Sequence, residues 1–222
     1  MVTKFPQNII NKFSKFTFYA NSTNKIWLFV KPKIQCSLLV NHHQFLHIQF
    51  AIGAQVEFAS FIYASCLPRY QQELWHELMN LGKNIDSFWI LGGDFNCITS
   101  PTEKRGGKTS LLSPIAKFNN FISDASLFDL GFKGPKFTWR RGTLWERLDR
   151  LLDNSLWFQT FPFCTVTHLA MAGYDHRLIL FSIQNTARPT NTPFRFQNMW
   201  TLHLDFIKEV GNNWNSNLNA DR

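Results

Sequence analysis

The chain reads as a mixed α+β fold, or a layered sandwich of sheets and helices. Two observations carry that reading. Strand-length apolar runs follow one another from Ile26 onward, and two amphipathic helical stretches interrupt them before the strands resume.

Residues 1–24 mix Asn, Lys, Ser and Phe without a sustained period and receive no element. Strands are read at 26–30, 34–40 and 56–64. Between the last two, Leu46, Ile48 and Phe50 alternate with His47 and Gln49, the pattern of a strand with one wet face. Over 69–81, Leu74, Trp75, Leu78 and Leu81 fall at helical spacing and Gly82 supplies a stop. The apolar run 87–91 ends at Gly92-Gly93, which reads as a buried strand closing in a turn, with Asp94 just past its end. Ser113 as N-cap and Pro114 at the first helical position open a second helix whose Ile115, Phe118 and Ile122 share a face. Strands are expected at 136–140, 147–152, 165–169 and 178–183, with a short helix over 154–161. Pro189 and Pro193 mark a linker over 186–193, and Phe206, Val210 and Trp214 make a one-sided stripe beyond it. The chain thus divides into 1–24, unassigned; 25–185, the main domain; and 186–222, a linker with a helical tail.

With 45% hydrophobic and 17% charged residues and 23 phenylalanines, the composition excludes a disordered chain and calls for an aromatic core. Lys and Arg outnumber Asp and Glu by 23 to 15, and six lysines precede the first acid, Glu57. A second basic set comprises Lys104, Arg105, Lys108, Lys133, Lys136, Arg140, Arg141, Arg147 and Arg150. Such a balance suits either a polyanionic partner or plain solubility. The four cysteines fit no zinc spacing and read as free thiols. No apolar run approaches the roughly 20 residues that span a bilayer, so a soluble intracellular protein without a membrane partner is expected, and no obligate protein partner is indicated.

Four segments place a chemically competent side chain near a strand end: Tyr63, Asp94 with Asn96, Asp149, and Asp175 with His176. Singly, each has an ordinary reading. Gly93-Asp94 suits a turn, Asp149 could pair with Arg147 or Arg150, and His176 could be a bonded core histidine. As a set they supply what phosphodiester cleavage needs: a carboxylate to activate water, an amide to hold it, and an imidazole to stabilise charge on phosphorus. Glu57, in a strand, and Glu103, in a basic loop, are assigned to the surface.

Six segments occur in order: Trp89-Ile90-Leu91-Gly92-Gly93-Asp94-Phe95-Asn96, Glu103-Lys104-Arg105-Gly106-Gly107, Asp129-Leu130-Gly131-Phe132, Phe137-Thr138-Trp139, Glu146-Arg147-Leu148-Asp149-Arg150 and Asp175-His176. Over roughly 25–185 this series resembles the endonuclease domain of plant LINE-type (non-LTR) retrotransposon polyproteins, within the endonuclease/exonuclease/phosphatase superfamily. Phe194-Arg195-Phe196, Trp200 and Trp214 resemble the connector that follows it there. The resemblance implies a four-layered α/β sandwich with two face-to-face β-sheets flanked by helices. It implies a Mg²⁺-dependent enzyme that nicks DNA, at work in the nucleus. In that pattern Asp94 positions or deprotonates water, Asn96 binds the water or the phosphate, and Tyr63 contacts the phosphate. His176 stabilises the transition state, Asp149 orients His176, and Asp175 lies near the metal. The family's opening strands, one bearing Asn and one ending in a Gln-Glu-Thr-like segment with the main metal-ligand Glu, have no counterpart here. The expectation is a sheet without those strands and a magnesium site without that ligand. Tyr174 stands where the family has Ser, and Arg177-Leu178 departs from its usual Pro turn. Two other readings stay open: a non-catalytic transposon-derived remnant that at most binds nucleic acid, and a phosphoesterase acting on phosphoinositides or other phosphate esters, against which the Glu103–Gly107 and Phe137–Trp139 segments argue.

Overall fold

Among the described residues, the longest strands assemble into one six-stranded sheet, with two helices on one face and two small sheets on the other. The computed structural model describes residues 11–52, 55–108, 112–154, 156, 164–183, 208 and 211. The chain divides into Met1–Asn185 and Thr186–Arg222. Only Lys208 and Gly211 are described in the second unit, so the expected linker and tail stripe lie outside the described residues, as does most of the helix expected over 154–161.

The strands are β1 (Thr17–Ala20), β2 (Trp27–Val30), β3 (Cys36–Asn41), β4 (Phe45–Ile52), β5 (Gln55–Tyr63), β6 (Trp89–Asp94), β7 (Lys104–Arg105), β8 (Leu127–Asp129), β9 (Trp139–Arg141), β10 (Leu144–Glu146), β11 (Asp149–Asn154), β12 (Thr165–His168) and β13 (Ile179–Ser182). Two helices are described, α1 (Pro68–Gly82) and α2 (Leu112–Asp124). The main sheet runs β3-β4-β5-β6-β11-β8. Its first three strands form an antiparallel meander; β5 and β6 are parallel and joined through α1; β11 returns antiparallel to β6. A three-stranded sheet β7-β10-β9 and the two-stranded sheets β1-β2 and β12-β13 complete the set. The mixed α+β expectation therefore holds.

One face of the main sheet is covered by helices. Leu74, Trp75 and Leu78 of α1 and Ile115, Phe118, Phe121 and Ile122 of α2 are buried. The Trp75 ring sits 4.9 Å from Phe118, 4.8 Å from Phe121 and 6.1 Å from Phe95 between ring centroids. The opposite face, built from Ile48, Ala59, Ile90 and Leu151, packs with Val166 of β12, Leu28 of β2, and Ile179 and Phe181 of β13. The two small sheets thus face the large one, leaving an apolar cavity of about 780 Å³ whose lining includes β2, β13 and the floor of the main sheet.

This double cover corrects several expectations. β1 lies inside the segment given no element, paired with β2 from Thr17↔Val30 to Ala20↔Trp27. Its short sequence carries no period long enough to register. His47, read as facing water, is buried, with Nδ1 2.9 Å from Ser60 Oγ, because helices cover the face that alternation left polar. Burial pushes its pKa down to about 4, so the ring is neutral. Glu57 and Glu103, assigned to the surface, are both buried. α2 starts at Leu112, so Ser113 and Pro114 lie in its first turn, where the missing proline N–H costs nothing.

Asp153 of β11 is 1% exposed and neither carboxylate oxygen has a hydrogen-bond donor from another residue. Burial pushes its pKa up to about 7 from 3.8. A carboxyl of this kind keeps its proton in the folded chain while the unfolded chain ionises, so its contribution to stability falls as pH rises from about 4 to about 7. Asp153→Asn is expected to raise the melting temperature at pH 8, by on the order of 2 kcal/mol of stability, and to change it little at pH 4; equal effects at both pH values would refute the assignment.

Candidate active site

Three strand ends converge where β5, β6 and β11 lie side by side. Tyr63 pairs with Asp94 across the parallel β5-β6 ladder, and Asp94 pairs with Asp149 across the antiparallel β6-β11 ladder. Tyr63, Asp94 and Asp149 therefore stand at one level, on the same face of the sheet.

Gly93 makes this possible. The strand runs through Gly92-Gly93 to Asp94 instead of turning at the glycines as expected. A Cβ on Gly93 would stand 2.1 Å from the Ile62 carbonyl oxygen, and φ there is +138°, a value few side-chain residues adopt. The glycine marks close backbone approach between β5 and β6, not the end of β6.

Asp94 is 8% exposed. Its Oδ1 accepts the Asn96 backbone N–H at 2.8 Å and its Oδ2 accepts Asn96 Nδ2 at 2.9 Å. Asn96 takes φ +47°, and its Nδ2 also donates to the Ala64 carbonyl at 2.7 Å. Burial, then the charge of Asp149, push the Asp94 pKa up to about 7 against the opposing bonds from Asn96. The next residue, Phe95, is fully buried in the helix-side aromatic cluster, and its N–H donates to the Leu148 carbonyl at 2.9 Å. That anchor sends Asp94 and Phe95 to opposite faces of the sheet.

His176 lies with Nδ1 2.8 Å from Asp149 Oδ2 and Nε2 3.9 Å from Asp94 Oδ2. Asp149 thus contacts His176, and the pairing with Arg147 or Arg150 is not made; those arginines bond Glu103 and Asp129. Burial disfavours the imidazolium, but the hydrogen bond and charge of Asp149, with Asp94 and Asp175, outweigh it and raise the His176 pKa above its ordinary value. Asp175 is exposed; its Oδ2 accepts the Trp139 indole N–H at 3.3 Å and its carbonyl accepts the Arg140 N–H at 2.9 Å. Tyr63 is exposed at the rim, with Lys25 Nζ 5.2 Å from its ring centre. Its hydroxyl pKa is raised, by burial first and then by the charge of Asp94.

The structure adds residues the sequence reading did not single out. Thr138 is fully buried; its Oγ1 accepts the Leu148 and Asp149 N–H groups at 2.9 and 3.0 Å, and its carbonyl accepts the Arg177 N–H at 2.7 Å. One residue therefore fixes the backbone beside both Asp149 and His176. Gln71 of α1 donates to the Asn96 carbonyl at 3.0 Å, and Cys66 Sγ lies 3.4 Å from Asn96 Oδ1. Thr138 sits in the Phe137-Thr138-Trp139 segment, whereas no motif announces Gln71 or Cys66.

A buried aspartate with its amide partner, facing a carboxylate-held imidazole at the strand ends of a layered α/β sheet, defines a nuclease/phosphodiesterase fold. The chain belongs to the endonuclease/exonuclease/phosphatase family, whose model matches residues 5–158. Among solved structures, it is similar to the endonuclease domain of TRAS1, a telomere-specific non-LTR retrotransposon, at TM-score 0.60 and 14% identity over 78% of this chain and 82% of that one. Truncated Caenorhabditis elegans TDP2 matches at TM-score 0.52 and 13% identity, covering 80% of each chain. A double mutant of Staphylococcus aureus beta toxin with bound magnesium ions matches at 0.51 and 12%, again over 80% of each. No curated protein matches the chain.

The residues present do not make a magnesium cage by themselves. Among the described residues no group of three or more His, Cys, Asp or Glu side chains is placed to hold a metal ion. Asp94, Asp149 and Asp175 each have at least one oxygen bonded within the protein, whereas Mg²⁺ needs near-octahedral oxygen coordination.

Gly93→Ala is expected to lower the melting temperature by roughly 6–12 °C, since a backbone clash and a positive φ combine there. Gly92→Ala, whose added Cβ would meet only the Leu151 side chain at 3.3 Å, is expected to cost much less. Thermal melts of the two variants check the contrast.

Proposed function

We propose that this protein nicks DNA by hydrolysing a phosphodiester bond, the reaction for which its strand-end site is shaped. The observation that carries the reading is the Asp94–His176–Asp149 arrangement. Asp94, held by Asn96, is a buried carboxylate with a pKa of about 7, suited to accept a proton from an attacking water. Asn96 keeps that carboxylate oriented. The Asp149 carboxylate fixes Nδ1 of His176, so Nε2 points toward Asp94, where it can donate to an oxygen on phosphorus as charge builds up. Tyr63, at the rim, would contact the phosphate, and Asp175 orders the Trp139 ring beside His176.

A nucleic-acid substrate is supported by the surface next to the site. Arg105 of β7 and Arg140 of β9 lie over the Trp145 ring at 5.2 and 4.7 Å, and Arg140 also holds the Asp175 carbonyl. With exposed Lys136 over the Phe137 ring at 5.9 Å and Arg141 next to Arg140 on β9, they form a basic, aromatic surface suited to phosphates and bases. Arg147 and Arg150, counted with that basic set on sequence, are buried in ion pairs and contribute nothing to it. A DNA target would place the protein's work in the nucleus.

One observation favours a second reading, a binding protein without catalysis: the missing metal cluster among the described residues. Supercoiled plasmid incubated with the purified chain and Mg²⁺ separates the two. The nicking reading expects conversion to open circles that Asp94→Ala and His176→Ala each reduce by at least about 100-fold; equal nicking by wild type and both variants would sink it, and DNA binding without nicking would favour the second. The rate is expected to rise with pH through about 7 as Asp94 loses its proton, then to fall once His176, its pKa raised, loses its own. Changing Arg105 and Arg140 together to Ala should weaken DNA binding and flatten its salt dependence by up to about two phosphate contacts, without altering the melting temperature.

A further inference from the structure

We propose that Glu103 is a positioning residue for the site, tying the loop that carries Asn96 to the strand that carries Asp149; the inference rests on the nicking reading above. Glu103 ends a 3-10 turn, Pro101–Glu103, and is 7% exposed. Its Oε2 accepts the Thr99 backbone N–H at 2.7 Å and Arg150 Nη2 at 2.9 Å. Its Oε1 accepts Arg147 Nη1 at 2.7 Å, and its carbonyl accepts the Arg147 N–H at 2.9 Å. Arg150 Nη2 also donates to the Cys97 carbonyl at 3.1 Å. One carboxylate therefore fastens residues 97–99, directly after Asn96, to Arg147 and Arg150, which flank Asp149 on either side.

Asp129 holds the same two arginines, Arg147 through paired 2.8 Å contacts and Arg150 at 3.1 Å, but makes no bond to residues 95–100. Its one further partner here is the Gly131 N–H, at 2.9 Å. The two acids divide the labour. Asp129 balances buried charge; of the two acids only Glu103 also bonds the segment after Asn96, adding a carboxylate link to those that the β6-β11 ladder, the Phe95–Leu148 bond and Arg150 make between the Asp94-Asn96 loop and the Asp149-His176 pair. Reacting groups must be held to a fraction of an ångström, so that link governs turnover more than binding.

Glu103→Gln keeps the shape but replaces one accepting oxygen with an NH₂ group facing donors. It is expected to lower kcat for plasmid nicking about 10- to 100-fold with KM within about 3-fold. It should also broaden or abolish the downfield proton resonance of the His176 Nδ1–H to Asp149 bond. Asp129→Asn, which loses charge but not the link, should melt earlier yet keep kcat within about 3-fold and keep the resonance. If Glu103→Gln does not fold, Arg150→Lys tests the same link, because an ammonium cannot span the Cys97 carbonyl and Glu103 as the guanidinium does; it too should lose the resonance. The proposal is overturned if Glu103→Gln, or Arg150→Lys in its place, keeps both resonance and kcat, or if Asp129→Asn loses them equally. The resonance reads out without catalysis, so an inactive wild type would sink the nicking reading while leaving this comparison decisive.

Discussion

The antiparallel register of β6 against β11 sets Asp94 opposite Asp149, and the site depends on it. A slip of β11 by one residue would turn Asp149 to the helix side and leave Asp94 without it, because successive strand side chains point to opposite faces. The neighbours hold the register from both sides. Gly93 lets β5 press against β6, and Phe95 locks the end of β6 into the aromatic cluster under α1 and α2. The helices thus act on the chemistry through the core beneath it and through the Gln71 bond to the Asn96 carbonyl.

Charge is buried in this fold in two different ways. Glu103, Asp129, Arg147 and Arg150 form a mutually bonded set in which the arginines hold both carboxyls ionised: Glu103 below its ordinary pKa and Asp129 down to about 2, burial notwithstanding. Glu57 and Asp153 are buried without a donor or ion-pair partner from another residue, and burial pushes each up to about 7. The first arrangement is costly to break by removing one member. The second weakens the fold near neutral pH, and its carboxyls stand on the sheet face that carries the apolar cavity.

Strands with strong periodicity were legible from sequence to within a few residues, as β4, β5 and β13 show. Asp94, Asn96, Asp149 and His176 were legible as a set because each lies within a motif and the motifs come in the right order. What sequence could not supply was cover: whether a polar residue in a strand meets water depends on what packs above it. His47, Glu57 and Glu103 were therefore placed outside when they lie inside, and Arg147 and Arg150 were counted as free cations when each is spent on a carboxylate. Gly92-Gly93 read as a turn because glycine signals both turns and close backbone approach, and only the neighbouring strand tells which.

The strand order carries a consequence for folding. β3, β4 and β5 meet through short connections, and β6 joins them through α1, so this part of the sheet closes from nearby segments. The pairing of Asp94 with Asp149 must instead close a loop containing α2 and four further strands, and that entropy is offset only once β11 docks. The sheet can form most of its hydrogen bonds before the site exists at all. A nascent chain would acquire its scaffold first and its chemistry late, which keeps the carboxylate pair apart until the surrounding core is in place to bury it.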